Sequence, residues 1–366
     1  MQISYEKLKL IISKHSSILI VHGKSSFTKS GLDKFLTEFH RNKEIYNWSV
    51  ESTDPDAKEI KNLSSYISDN RPSIIISCGG GTVIDTAKAA SFISSQGLSL
   101  VSLLEGNRNE DCENIKQITI PTTCGTGSEC THFSVIYING IKHSLADLSM
   151  KPDYFYLDAR FLKNLPKKHI VSSSLDAFSQ SIESFWAKSS TEESKRMSIA
   201  GMELFSQNYH SLTDNNNLRS LNLMLECANR AGQAINITKT TAPHAISYHL
   251  SKELNLPHGF SVFLTLPEIF EYTISSLGDD YELEKKIIYK SMGVKDSLAA
   301  FSFLKKLRKE SAAHMKLTVL SSKDMITLAQ DAASAVNQER LSNHPAVLDQ
   351  EAVSSLTLAG LKKVFQ

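Results

Sequence analysis

The stretch Cys78-Gly79-Gly80-Gly81-Thr82-Val83-Ile84-Asp85-Thr86-Ala87-Lys88 constrains the fold more than any other part of the sequence. It follows Ser73-Ile74-Ile75-Ile76-Ser77, a β-branched run that reads as a buried strand. It leads into Asp85-Thr86-Ala87-Lys88-Ala89-Ala90-Ser91-Phe92, which reads as a helix. Strand, three glycines and helix form the geometry in which backbone N–H groups close on a phosphate at a helix N-terminus. A plain tight βα turn uses the same residues. The triplet is neither a Walker loop, because no Gly-Lys-Ser/Thr closes it, nor a GxGxxG fingerprint.

A second loop sharpens the reading. Ile118-Thr119-Ile120 reads as a strand, and Pro121-Thr122-Thr123-Cys124-Gly125-Thr126-Gly127-Ser128-Glu129 follows it, interleaving hydroxyls with two glycines. Such a loop can hydrogen-bond a pyrophosphate or a sugar. Together, GGGTxxDxAK and PTTxGTGSE resemble the iron-containing, or group III, alcohol dehydrogenase family. That resemblance implies an α/β dinucleotide-binding domain with a Rossmann-like parallel sheet, an all-α domain, and the architecture shared with dehydroquinate synthase. Carried onto this sequence, the expected cofactor-binding residues are Gly79, Gly80, Gly81, Thr82, Asp85, Thr122, Thr123, Thr126, Ser128 and Lys142, with Ser49 at the cofactor-selecting position. An acid at that position would bond the ribose hydroxyls and repel a 2′-phosphate. Serine does neither, so NADH and NADPH both stay open.

Residue patterning along the chain supports the same division. Ser17–Val21 reads as the first strand, and the His22–Ser26 turn after it as a lip of the nucleotide cleft or a simple βα loop. Helices are expected over 29–41 and 55–68, and strands over 45–50 and 117–120. Asn139-Gly140 between two extended runs predicts a hairpin. On its returning strand, Lys142 and His143 suit either a solvated ribbon or the holding of an anion. Residues 152–158 read as the last strand of this half. From Lys167 onward helical periodicity takes over, so the expected domains are 1–166 and 167–366. Asp214–Asn217 reads as a polar interhelical loop, and 276–295 and 303–310 as solvated connectors or helix faces.

Charge and cysteine usage narrow the partners. Forty Lys and Arg against 39 Asp and Glu leave a net charge of +1, which disfavours nucleic-acid or membrane-surface binding driven by bulk charge. The N-terminus lacks the layout of a signal peptide, and five cysteines without a CxxC pair suit a reducing cytoplasm. Cys78 and Cys124 abut the glycine loops, so their oxidation is expected to harm binding. The resemblance implies a homodimer.

Three segments of the helical half gather metal-type ligands: Ser174–Glu183, Pro243–His249 and Pro257–Gly259. The resemblance places metal ligands at Asp176, His244 and His258. A family histidine four residues after the aspartate is replaced here by Gln180, which can offer a carbonyl oxygen or bond a metal-bound water. One carboxylate and two imidazoles suit Zn²⁺ or Fe²⁺ with an open position. Tyr248, four residues after His244, shares its helix face, whereas His249 lies roughly 140° round. Tyr248 and His249 are nevertheless both candidate proton donors, with a cofactor hydroxyl or water.

The implied chemistry is reduction of a small aldehyde by NADH or NADPH. Residues 176–186 and 234–245 resemble the phosphonoacetaldehyde reductase branch, so a phosphonate substrate is expected. Lys239, before Thr240-Thr241, can supply charge to it, or stand as a solvated helix-end lysine. Another small-aldehyde or polyol dehydrogenase, a dehydroquinate-synthase-like cyclase, and a metal-free binding protein remain alternatives; Gln180 is the feature favouring the last.

Overall fold

The isoleucine-rich run before the glycines is buried along its whole length because it lies in the middle of a parallel sheet. The computed structural model describes residues 1–211 and 217–366; the Asp214–Asn216 part of the expected polar loop lies outside them. The strands are β1 (Ser17–Gly23), β2 (Glu44–Val50), β3 (Ile74–Gly79), β4 (Gln117–Pro121), β5 (Phe133–Ile138), β6 (Ile141–Ala146) and β7 (Tyr154–Phe155). β2, β1, β3, β4 and β7 form one parallel sheet in that order, and β5 and β6 form an antiparallel ribbon. The ribbon turns at Asn139 and Gly140, with φ of 51° and 77°, the left-handed pair that a two-residue hairpin demands.

Strand order fixes where a ligand belongs. The chain leaves β1 toward β2 on one side and later returns as β3 on the other. The switch point is therefore the edge where the carboxyl ends of β1 and β3 lie together, His22 opposite Cys78. Open α/β sheets bind their ligands there.

Two compact units make up the chain: Met1–Thr123 with Gly127–Leu165, and Cys124–Thr126 with Pro166–Gln366. The first is α/β, and the second is built of helices. In the second unit the helix Lys167–Trp186 is buried on nearly all sides, from Ile170 to Trp186 except Ser173. Its buried serines cost little because Ser179 and Ser181 donate to the carbonyls one turn back, at 2.7 and 2.9 Å. No helix among the described residues is long and apolar enough to cross a membrane.

Several expectations need correction. The helix expected over 29–41 is two short ones, Ser26–Ser30 and Leu32–Thr37, because Gly31 at φ 81° breaks the ladder. Only Tyr154 and Phe155 of the 152–158 run pair in the sheet. The charged run 303–310 is not wholly solvated: Arg308 is buried and bonds Glu268 through both terminal nitrogens, Nη2 to Oε1 at 2.8 Å. Cys78 and Cys124 are fully buried, and burial pushes both thiols up, away from the thiolate form that oxidants attack. The Cys130 and Cys227 thiols are buried and raised in the same way, while Cys112 is half-buried.

Lys88 is the strongest single brace of the first unit. It is fully buried, and its ammonium donates to Asp85 at 3.3 Å, the Ser128 carbonyl at 3.2 Å, the Thr131 hydroxyl at 2.9 Å and the Phe133 carbonyl. Burial lowers its pKa, with Asp85 opposing that shift. Removing one partner of such a pair leaves the other charge stranded. Lys88→Met is expected to destabilise the protein by about 3 kcal/mol, and adding Asp85→Asn to recover part of the loss. Urea midpoints of the single and double variants check this.

Candidate metal centre and dinucleotide loop

Gly79, Gly80 and Gly81 fall where β3 ends and the helix Gly81–Gln96 begins. A Cβ at Gly79 would stand 2.5 Å from the Val83 side chain, and one at Gly80 3.1 Å from Thr123. Gly80 is the N-cap, no side chain bonds into that cap, and the first turn carries no acid. The leading N–H groups and the positive end of the helix are thus presented without a competing carboxylate. Thr122 donates its N–H to the Gly79 carbonyl at 3.0 Å, so the hydroxyl loop starts beside the glycines, with Thr123 against Gly80.

The other expected cofactor residues divide. Thr82 donates its hydroxyl to the Thr53 carbonyl at 2.9 Å. Asp85 is buried, and its two oxygens accept from Lys88 and from the Val135 N–H at 3.0 Å, which gives it a bracing role. Ser128 stands in the short turn gripped by Lys88. Thr126 belongs to the loop segment that packs with the helical unit. Lys142 lies on β6 opposite Tyr137. Ser49 donates to Glu51 at 3.1 Å, and Glu51 pairs with Lys24 at 2.6 Å.

In the helical unit, Asp176, His244 and His258 come together from three helices: Lys167–Trp186, Ala242–Glu253 and His258–Ser276. Pro243 opens the second and Pro257 precedes the third, each placing its histidine in the first turn. The third helix approaches the first closely because of Gly259, where a Cβ would lie 2.0 Å from the Ser172 carbonyl and 2.7 Å from Asp176 Cβ. One ligand atom of each of the three residues lies within 4.8 Å of the others. Asp176 and His244 are buried, while the His258 side chain is 38% exposed.

Glu183, two turns after Asp176 on the same helix, organises the cluster. Its carboxylate is fully buried and accepts from the Thr241 N–H at 2.9 Å, the Thr241 hydroxyl at 3.2 Å, the His244 N–H at 3.3 Å and His244 Nδ1. With Nδ1–H directed at Glu183, His244 turns Nε2 toward Asp176 Oδ1, 3.1 Å away. Without an ion, a proton on Nε2 bridges that gap; a metal ion taking its place would complete a carboxylate–histidine–metal triad. Burial opposes a charged His244 ring, but Glu183 and Asp176 outweigh it and hold its pKa above the ordinary value. Gln180, one turn from Asp176, has a buried Oε1 with no hydrogen-bond partner among the described residues. That oxygen is a buried acceptor left over for a further bond. The donor set fits a divalent metal.

The candidate catalytic residues separate in space. The Tyr248 ring lies 6.2 Å from that of His258, with 21° between the planes. His249 is turned to another recess of about 400 Å³, with Glu253, Lys323 and Asp331. Lys239 is exposed and paired with Glu339, so it too is not brought to the cluster. Glu183 sat among the metal-type residues of the sequence but carried no assigned role; its seven-residue spacing from Asp176, two helical turns, was the available signal.

The iron-containing alcohol dehydrogenase family model matches residues 3–159, and the model of the C-terminal part of that family matches 170–360. This chain belongs to the iron-containing alcohol dehydrogenase family. It is 31% identical over 223 residues to 4-hydroxybutyrate dehydrogenase of Clostridium kluyveri, covering 60% of this chain and 59% of the relative. Phosphonoacetaldehyde reductase of Streptomyces viridochromogenes is 29% identical over 231 residues, covering 60% and 58%. The chain thus spans under two thirds of the length of these two relatives. Among solved structures, sulfoacetaldehyde reductase from Bifidobacterium kashiwanohense in complex with NAD⁺ superposes with a TM-score of 0.84 at 22% identity, covering 97% of this chain and 95% of that one. The likeness establishes the fold: an α/β domain and an α-helical domain, as expected from the sequence.

Within this family member, Glu183 is the residue whose loss reads out the triad most directly. Glu183→Gln keeps an acceptor for Thr241 but weakens the hold on His244 Nδ1. It is expected to lower metal affinity about 10- to 100-fold with the fold retained, as measured by chelator competition and circular dichroism.

Proposed function

We propose that this protein is a metal-dependent NAD(P)H oxidoreductase that reduces a small aldehyde to an alcohol, with phosphonoacetaldehyde as the substrate and 2-hydroxyethylphosphonate as the product. The convergence of Asp176, His244 and His258 behind a buried Glu183 carries this reading. The two relatives add to it: each is named for a short substrate bearing an anion, a carboxylate in one and a phosphonate in the other.

Asp176, His244 and His258 would hold a divalent ion, Fe²⁺ or Zn²⁺, with Gln180 Oε1 as a further donor. When bound, that ion supplies positive charge against the oxygen that turns negative as hydride reaches the carbonyl carbon. Glu183 fixes the His244 tautomer so that Nε2 points inward. Tyr248 keeps a proton ready: burial raises its phenol above the ordinary value, so it stays protonated at neutral pH. We assign it, rather than His249, as the side chain that returns a proton to the product oxygen. The N–H groups around Gly79, Gly80 and Gly81 bind the dinucleotide pyrophosphate.

The test mixes purified protein, Zn²⁺ or Fe²⁺, and NADH or NADPH with phosphonoacetaldehyde or propanal, and follows nicotinamide absorbance. Turnover of phosphonoacetaldehyde in preference to propanal is expected; equal turnover would overturn the phosphonate assignment. His258→Ala and Asp176→Ala are expected to lose bound metal after gel filtration and at least about 100-fold in kcat/KM, while still binding NADH by fluorescence titration.

A further inference from the structure

Beside the metal-type cluster stands a cation with no assigned task. Arg340 lies in the short helix Gln338–Ser342, where Asn337 Oδ1 accepts its backbone N–H at 3.0 Å. Its guanidinium carbon is 5.9 Å from the centre of the Tyr248 ring, and that ring in turn is 6.2 Å from His258. Nη1 donates to the hydroxyl of buried Thr240, in the connection between the helices Leu218–Thr238 and Ala242–Glu253. The nearby Lys239 ammonium is taken by Glu339. Among the described residues no carboxylate forms an ion pair with Arg340.

A half-buried guanidinium whose acidic neighbour Glu339 is itself paired with Lys239 is incompletely neutralised, and a charge leaving water needs a partner. Its planar fork of donors matches the oxygens of a phosphonate, sulfonate or carboxylate. His258 is the most exposed of the three clustered residues, and the Tyr248 ring neighbours both it and Arg340. A small aldehyde whose carbonyl is near His258 would have its far, anionic end along the Tyr248 ring, on which Arg340 also lies.

Resting on the aldehyde-reductase reading above, we propose that Arg340 receives the anionic end of the substrate and sets the preference for charged over neutral aldehydes. Thr240 is its positioning residue. The site belongs to unbranched two- to four-carbon aldehydes carrying one terminal oxyanion.

Two measurements on the full-length, metal-loaded protein test it. The first compares kcat/KM for phosphonoacetaldehyde and propanal in wild type, Arg340→Gln and Arg340→Lys. The ratio of the two is expected to fall at least about tenfold in Arg340→Gln, mainly through KM for the anion, and to recover in part in Arg340→Lys. A parallel loss on both aldehydes would mean that Arg340 only braces Thr240, and would overturn the proposal. The second titrates 2-hydroxyethylphosphonate by calorimetry and does not depend on turnover. Binding at least about tenfold weaker in Arg340→Gln, with an unchanged Tm, supports the anion site; equal affinities overturn it. If wild type reduces no aldehyde yet binds the phosphonate through Arg340, the reductase reading fails and the anion site stands.

Discussion

A buried carboxylate gripping one nitrogen of a buried imidazole is the interaction on which the helical half depends. Glu183 would be costly in the core by itself, since an isolated charge there has no water to satisfy it. Four donors from the start of the Ala242–Glu253 helix meet it instead. The same bonds therefore seat that helix and decide which His244 nitrogen faces Asp176. Structure and chemistry cannot be separated at this point, because the group that fixes the helix also fixes the tautomer.

The first half obeys a different constraint, set by backbone closeness. Val83 leaves no space for a β-carbon on Gly79, and Thr123 would crowd one on Gly80. The glycines thus serve packing as much as ligand approach, and both demands are met at the sheet's switch point. Lys88 then ties the helix that follows to the hydroxyl loop and the start of the β-ribbon.

Local chemistry made much of this legible in the sequence. Alternation between β-branched runs and glycine or hydroxyl loops revealed the parallel sheet, and Asn139-Gly140 revealed the ribbon. The Asp176, His244 and His258 cluster was visible through its resemblance to a family pattern, and the i, i+4 spacing placed Tyr248 on the His244 face; its ring lies beside that of His258. What escaped were relations between residues distant in the chain. Nothing in the run around Lys239 says that its charge is claimed by Glu339, 100 positions on, while the neighbouring Arg340 lies over Tyr248. Asp85 looked like a cofactor residue because its motif sits at the glycine loop; only the ribbon's return, which brings Val135 N–H to it, shows where its oxygens go. Gly31 likewise fits a helix by composition and breaks it by conformation.

The distribution of thiols has a consequence for how the molecule meets electrophiles. Four sulfurs are sealed in the interior with their protons held fast, and the fifth, at position 112, accepts a hydrogen bond from Gln96 near the surface of the first unit. A maleimide or an oxidant therefore finds a single point of attack, in the loop that precedes β4. The native protein carries its own built-in attachment handle.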